Sequence, residues 1–167
     1  YLIILLPFDS FRRIVDSHIL IFSYTCKVAQ AIQADAIEAI SIGGNPITSE
    51  GGATLLETIK TSKLKIIDIG KPLPLQEPYE SDTLDLANTN MDPGHVLLLS
   101  WWLTTEFSAA VARLTLSGNK ITGSIQTGPY TWDYDKDLSG LISLCDALLA
   151  LKNPLHLDLA DCGLGVN

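Results

Sequence analysis

Cys26, Cys145 and Cys162, with His18, His95 and His156, are the side chains best suited to nucleophilic or metal chemistry. Their spacing supports neither. No C-x-x-C occurs, the histidines are scattered without ligand spacing, and no nucleophile sits in a recognisable elbow. Asp68, Asp85 and Asp158 would make a calcium cluster only by a remote coincidence of folding. The run from Gly43 to Gly52 has the glycines of a phosphate loop, yet it lacks the lysine of a P-loop and the G-x-G-x-x-G spacing. These residues predict no catalytic group, no metal and no cofactor. The remaining reading is recognition.

The charge balance narrows the partner. Net charge is −8 and the pI is about 4.6. Such a chain gains nothing from counterion release, so nucleic acid is excluded as a partner and a basic protein surface or peptide is favoured. An odd number of cysteines at irregular spacing, with no N-x-[ST] sequon, predicts a reduced setting, cytoplasmic or nuclear. The apolar opening Tyr1 to Phe8 lacks a basic n-region and a small-residue cleavage site, and is far too short to span a bilayer. It reads as a buried strand, with a clipped signal sequence as the alternative, and no membrane partner is expected. The chain starts at Tyr1 and stops just after a turn, which reads as a fragment of something longer.

The elements that must position any site follow from apolar spacing. Apolar residues make up 47% of the chain at a mean hydropathy of +0.25, a richness that stacked units explain because each buries the faces of its neighbours. Ser17 to Phe22 reads as a strand, and Ser23 to Ala34 as a helix on Cys26, Ala29 and Ile32. A pattern then recurs: an apolar pair two residues apart, a polar turn, and an apolar residue after it. It runs Ile40, Ile42, Asn45, Ile47; then Ile67, Ile69; then Leu84, Leu86, Thr89, Met91; then Leu114, Leu116, Asn119, Ile121; then Leu157, Leu159, Cys162, Leu164. Alternation places each apolar pair on one face of a strand.

Helices are expected between the copies. Leu55, Leu56 and Ile59 fit one, with Thr48 or Ser49 as its cap. Asp92-Pro93 starts another, with Val96, Leu99 and Leu103 inward and Leu97, Leu98, Trp101 and Trp102 in need of cover. Asp137 caps a third, on Leu138, Leu141, Ile142, Cys145, Leu148 and Leu149. Pro72 to Ser81, with three prolines, cannot be a regular helix. Two of the steps between copies match a spacing of roughly 27–29 residues; the others are shortened by the proline stretch or lengthened by an insertion.

Val111 to Ile121 reads L-x-x-L-x-L-x-x-N-x-L, which resembles a leucine-rich repeat. With Ile42…Asn45-x-Ile47 and Leu159…Cys162-x-Leu164, the chain is similar to the ribonuclease-inhibitor type over roughly residues 37 to 167. The resemblance implies an α/β horseshoe solenoid: a curved parallel sheet on the concave face, with helices and loops on the convex face. It divides the chain into a degenerate repeat or N-terminal flank over 1–36 and repeats over 37–167. The repeat over 64–81 is irregular, and 123–136 is an insertion. It also implies a turn ladder of Asn45, Thr89, Asn119 and Cys162.

Such a solenoid would be a non-catalytic module that binds a protein on its concave wall. A regulator of an enzyme, such as a Ran-type GTPase activator, is the alternative. Residues flanking the buried strand positions would line the wall: Ser41, Asp68, Asp85, Arg113, Thr115, His156 and Asp158, beside Ala39, Ile66 and Thr83. The aspartates make it acidic, which suits either docking of a basic partner or a merely solvated face. Tyr130, Trp132 and Tyr134 on the insertion are expected either to anchor a partner or to fold back over Trp101 and Trp102.

Overall fold

The computed structural model describes residues 17–34 and 37–165. The expected strand at Tyr1 to Phe8 lies outside them. The apolar run from Ser17 becomes helical. Helix α1 covers Ser17–Gln33 in one piece, so the strand expected at Ser17 to Phe22 does not form. No turn residue separates that run from the helical spacing at Cys26, Ala29 and Ile32, and Ala29 and Ile32 are buried.

After it come β1 (Ala39–Ser41), α2 (Thr48–Ile59), β2 (Ile66–Asp68), β3 (Pro72–Pro74), β4 (Thr83–Asp85), α3 (Pro93–Leu103), β5 (Arg113–Thr115), β6 (Ile125–Gly128), β7 (Thr131–Asp133), α4 (Ser139–Ala150) and β8 (His156–Asp158). Among the described residues these make a small α/β fold of four helices and three separate small sheets. The leucine-rich repeat solenoid is thereby corrected: no curved continuous sheet and no horseshoe forms.

The break has a local cause. At Ile69 to Lys71 the chain reverses, with Gly70 at φ +120° and its N–H donating to Asp68 Oδ1 at 2.8 Å. β3 then runs back antiparallel on β2, pairing Ile67 with Leu73 and Asp68 with Pro72. It occupies the edge of β2 on which a further parallel strand would have to add. The first sheet is therefore β1-β2-β3, and a new parallel sheet, β4-β5-β8, starts beyond the proline stretch. β6 and β7 form a separate hairpin within the insertion.

The core lies between the strands and the helices. The central strand residues Ile40, Ile67, Leu84 and Leu114 are buried, as are Ile42, Ile69, Leu86 and Leu116 after them. The helices pack in sequence, α1 on α2, α2 on α3 and α3 on α4. That makes α3 an interior helix, which is why its apolar residues exceed one stripe. Val96, Leu98, Leu99, Trp102 and Leu103 are all buried. Trp102 is covered by the proline stretch and not by the insertion: its Nε1–H donates to the Pro74 carbonyl at 2.8 Å, and Tyr79 meets its ring edge-on at 5.6 Å. Helix α4 buries Gly140, Leu144 and Ala147 and leaves Leu138, Ile142, Cys145 and Leu149 exposed. Its inward face is rotated from the one that apolar spacing suggested. No helix among the described residues is long and apolar enough to cross a membrane.

Candidate recognition face

The strand-flanking residues fall on two sheets rather than one wall. Ser41 and Asp68 pair across β1 and β2, with Ala39 beside Ile66. The other five share the parallel sheet. There Arg113 stands between Thr83 and His156, and Thr115 stands between Asp85 and Asp158. Leu84 and Leu114 between these rows point inward and are buried, so alternation turns both rows to the opposite, open face. Asp85, Arg113 and His156 are exposed; Thr83, Thr115 and Asp158 are half-buried.

The aspartates also have a local task. Asp68 accepts the N–H of Gly70, Asp85 that of Ala87 at 3.0 Å, and Asp158 that of Ala160 at 2.9 Å. Each uses one oxygen to fix the turn that leaves its strand. Asp85 and Asp158 lie two strands apart, about 10 Å by the ordinary spacing of strands, with only the Thr115 hydroxyl between them.

The hairpin aromatics stay outside. Tyr130 is almost wholly exposed, and Trp132 and Tyr134 stack on one another at 6.1 Å between ring centres. The Lys120 ammonium lies 5.5 Å from the Trp132 ring centre, and Lys136 pairs with Asp133. The alternative in which this loop covers Trp102 is thus corrected, since Tyr79 and Pro74 already take that place. The hairpin is tied down at its base. Ser124 Oγ donates to the Gly163 carbonyl at 2.7 Å and accepts the Asp135 N–H at 3.0 Å, and Gly165 N–H donates to Asp135 Oδ2.

The turn residues divide unevenly. The Asn119 amide donates to the carbonyls of Leu86 at 2.7 Å and Leu116 at 2.8 Å, while its oxygen accepts the Met91 N–H at 3.0 Å. Thr89 donates to the Leu86 carbonyl, and the Cys162 thiol to that of Leu116. Asn45 bonds only the carbonyls of its own turn, Ile42 and Gly43. Burial pushes the Cys162 thiol above its ordinary value, against a main-chain hydrogen bond from Asn119 that lowers it.

The most heavily bonded acid is Asp92, whose expected capping of α3 is only half of its role; its bonds to the preceding helix start were not foreseen. Asp92 Oδ1 accepts the N–H groups of Gly94 and His95 and lies 2.7 Å from His95 Nδ1; Oδ2 accepts the N–H of Ile47 at 2.7 Å and of Thr48 at 2.8 Å. His95 is fully buried, and its Nε2 lies 3.2 Å from the Ile42 carbonyl. Burial works to raise the Asp92 pKa, but His95 and these N–H groups outweigh it and hold the carboxyl below its ordinary 3.8. The signal available was position: His95 stands third in the helix, where a capping-box partner belongs. Asp137 is lowered likewise, with burial opposed by hydrogen bonds from Ser139 and Ser49, and with Asp92 working against them. No group of three or more metal-ligating side chains is placed to hold an ion among the described residues.

Comparison with protein families, with curated proteins and with solved structures finds no match to this chain.

Proposed function

We propose that the chain is a non-catalytic recognition module of the cytoplasm or nucleus that docks a basic segment of another protein on the open face of β4-β5-β8. The supporting observation is the row Asp85–Thr115–Asp158, in which two carboxylates on one face of the sheet flank a hydroxyl, with Asp85 exposed and Thr115 and Asp158 half-buried. Its neighbour row, Thr83–Arg113–His156, adds hydrogen-bonding groups of the opposite character and fixes the orientation of whatever lies across both. The net charge of −8 steers basic chains toward the molecule and away from nucleic acid.

The test is titration of fluorescent peptides graded in lysine and arginine content. Basic peptides should bind in a salt-sensitive way, and Asp85→Lys should weaken them about tenfold, as loss of a close charge pair does. Reversal of Glu57, which pairs with Lys60 on α2, should leave binding unchanged. Equal losses from both reversals would reduce the effect to net charge and remove this face from consideration.

A further inference from the structure

Among the described residues, β8 pairs with β5 on one side and with no strand on the other. His156 N–H donates to the Ala112 carbonyl at 2.9 Å, while the Asp158 and Ala160 carbonyls accept from Leu116 and Gly118. Residues 156, 158 and 160 therefore spend their main-chain groups on the β5 side. By alternation, Leu155, Leu157 and Leu159 turn theirs to the open edge. Their side chains face the helix layer, yet they are only half-buried, whereas Leu114 and Leu116, their neighbours one strand in, are fully buried. The helix layer is unfinished at the same end. Leu138, Ile142, Cys145 and Leu149 form an outward stripe on α4, with Leu149 86% exposed. An open strand edge beside an open apolar helix stripe is a surface that a monomer normally avoids.

We infer that a second copy of this chain docks there, its β8 antiparallel to the first about a two-fold axis through Leu157. The charge pattern selects this occupant. Pairing centred on Leu157 sets His156 directly opposite Asp158 of the second copy, twice by symmetry, so a cationic or hydrogen-bonding ring meets a carboxylate on the open face. The same register makes Leu157 a hydrogen-bonded pair with its own copy and sets Leu155 against Leu159 on the inner face. Pro154, which has no N–H, falls on the side already turned to β5 and does not obstruct the new edge. The two-fold also brings the α4 stripes together, running in opposite directions. The product is a continuous six-stranded sheet, β4-β5-β8 joined to its copy, with the acidic rows of both copies on one face. The pairing engages Asp158 of the proposed recognition row and leaves Asp85 free, and it does not depend on that reading.

Sedimentation of the purified chain across a dilution series is the test, with far-ultraviolet circular dichroism as the check on folding. The wild type should be a dimer that dissociates on dilution. Ile142→Glu and Leu149→Glu, at exposed positions, should shift it to monomer with unchanged dichroism. H156D and D158K alone should each weaken the dimer about tenfold through like-charge contacts, and an equimolar mixture of the two should restore it, since each cross pair is then complementary. A wild type that is monomeric at every concentration would overturn the proposal. So would a dimer indifferent to H156D, or two charge variants that fail to rescue each other. Should an α4 variant lose its dichroism, the strand pair of variants still decides. Peptide binding by the Asp85 row is measured separately, so either result can fail without the other.

Discussion

Asp92 caps its own helix with one carboxylate oxygen and, with the other, holds Thr48 N–H at 2.8 Å, at the start of the preceding helix. One side chain thus sets two helix starts. Thr48 has φ +58° and its hydroxyl accepts the Gly51 N–H at 3.4 Å, so the distant carboxylate satisfies the Ile47 and Thr48 N–H groups that this local cap does not reach. Replacing Asp92 by Ala should cost on the order of 3 kcal/mol, since a cap is lost and buried N–H groups are left unbonded. Urea unfolding measures it, and Glu57→Ala, which removes only an exposed pair with Lys60, should fall within about 0.5 kcal/mol of wild type.

The same acid sets a pH dependence. A carboxyl held below 3.8 in the folded chain gives up its proton more readily there than when unfolded. Its contribution is therefore complete above the unfolded value and is lost as pH falls through the lower folded value. Unfolding free energies of wild type and Asp92→Asn should differ most near neutral pH and converge as the pH drops below about 4. A constant difference down to acid pH would show that Asp92 acts through shape alone.

Asn119 is buried, and its amide bonds the Leu116 carbonyl of its own turn as well as the Leu86 carbonyl, the Met91 N–H and the Thr89 hydroxyl of the neighbouring one. Asn119→Ala should destabilise by about 2–3 kcal/mol, because the Met91 N–H loses its side-chain partner and the Leu86 and Leu116 carbonyls each keep only the donor from Thr89 or Cys162. Asn45→Ala should cost under about 1 kcal/mol, as Asn45 serves only its own turn. Thermal melts of the two variants, run side by side, check the ranking.

Trp102 is fully buried against Tyr79 and Pro74. Trp102→Phe should cost about 1–2 kcal/mol through the lost N–H bond, and Trp102→Ala about 3–5 kcal/mol through the cavity. Acrylamide should quench Trp132 in preference to Trp102, so W132F should remove most of the quenchable emission.

Thiol labelling distinguishes the cysteines. Cys145 is exposed, while Cys162 is buried with its thiol pushed upward and bonded to the Leu116 carbonyl. In the native chain Cys145 should react with a disulfide reagent well before Cys162, which should respond only on unfolding. Early labelling of Cys162 would contradict its place in the core.

The strands were legible because their signal is short-range. Ile40 with Ile42, Ile67 with Ile69, Leu84 with Leu86 and Leu114 with Leu116 each declare a buried face by alternation alone. The helix beginning at Asp92-Pro93 was equally plain. The sheet boundary was not, because nothing local at Leu73 says whether it extends the pattern or turns back; that depends on the reversal at Gly70 and on pairing with Ile67. Ser17 to Phe22 failed for a related reason, as an apolar run without periodicity fits strand and helix alike. The double role of Asp92 joins residues far apart in sequence and leaves no mark in either stretch.

The antiparallel return of β3 has a mechanical consequence. No strand ladder bridges residues 75–82 among the described residues, so the two larger sheets are coupled through α2 lying on α3, the grip of Asp92 on the α2 start, and the reach of His95 to the Ile42 carbonyl and of Trp102 to that of Pro74. Under tension the molecule should part along that seam, with both ladders still whole on either side. Amides of Ile67 and Leu84 should then exchange with solvent in separate openings.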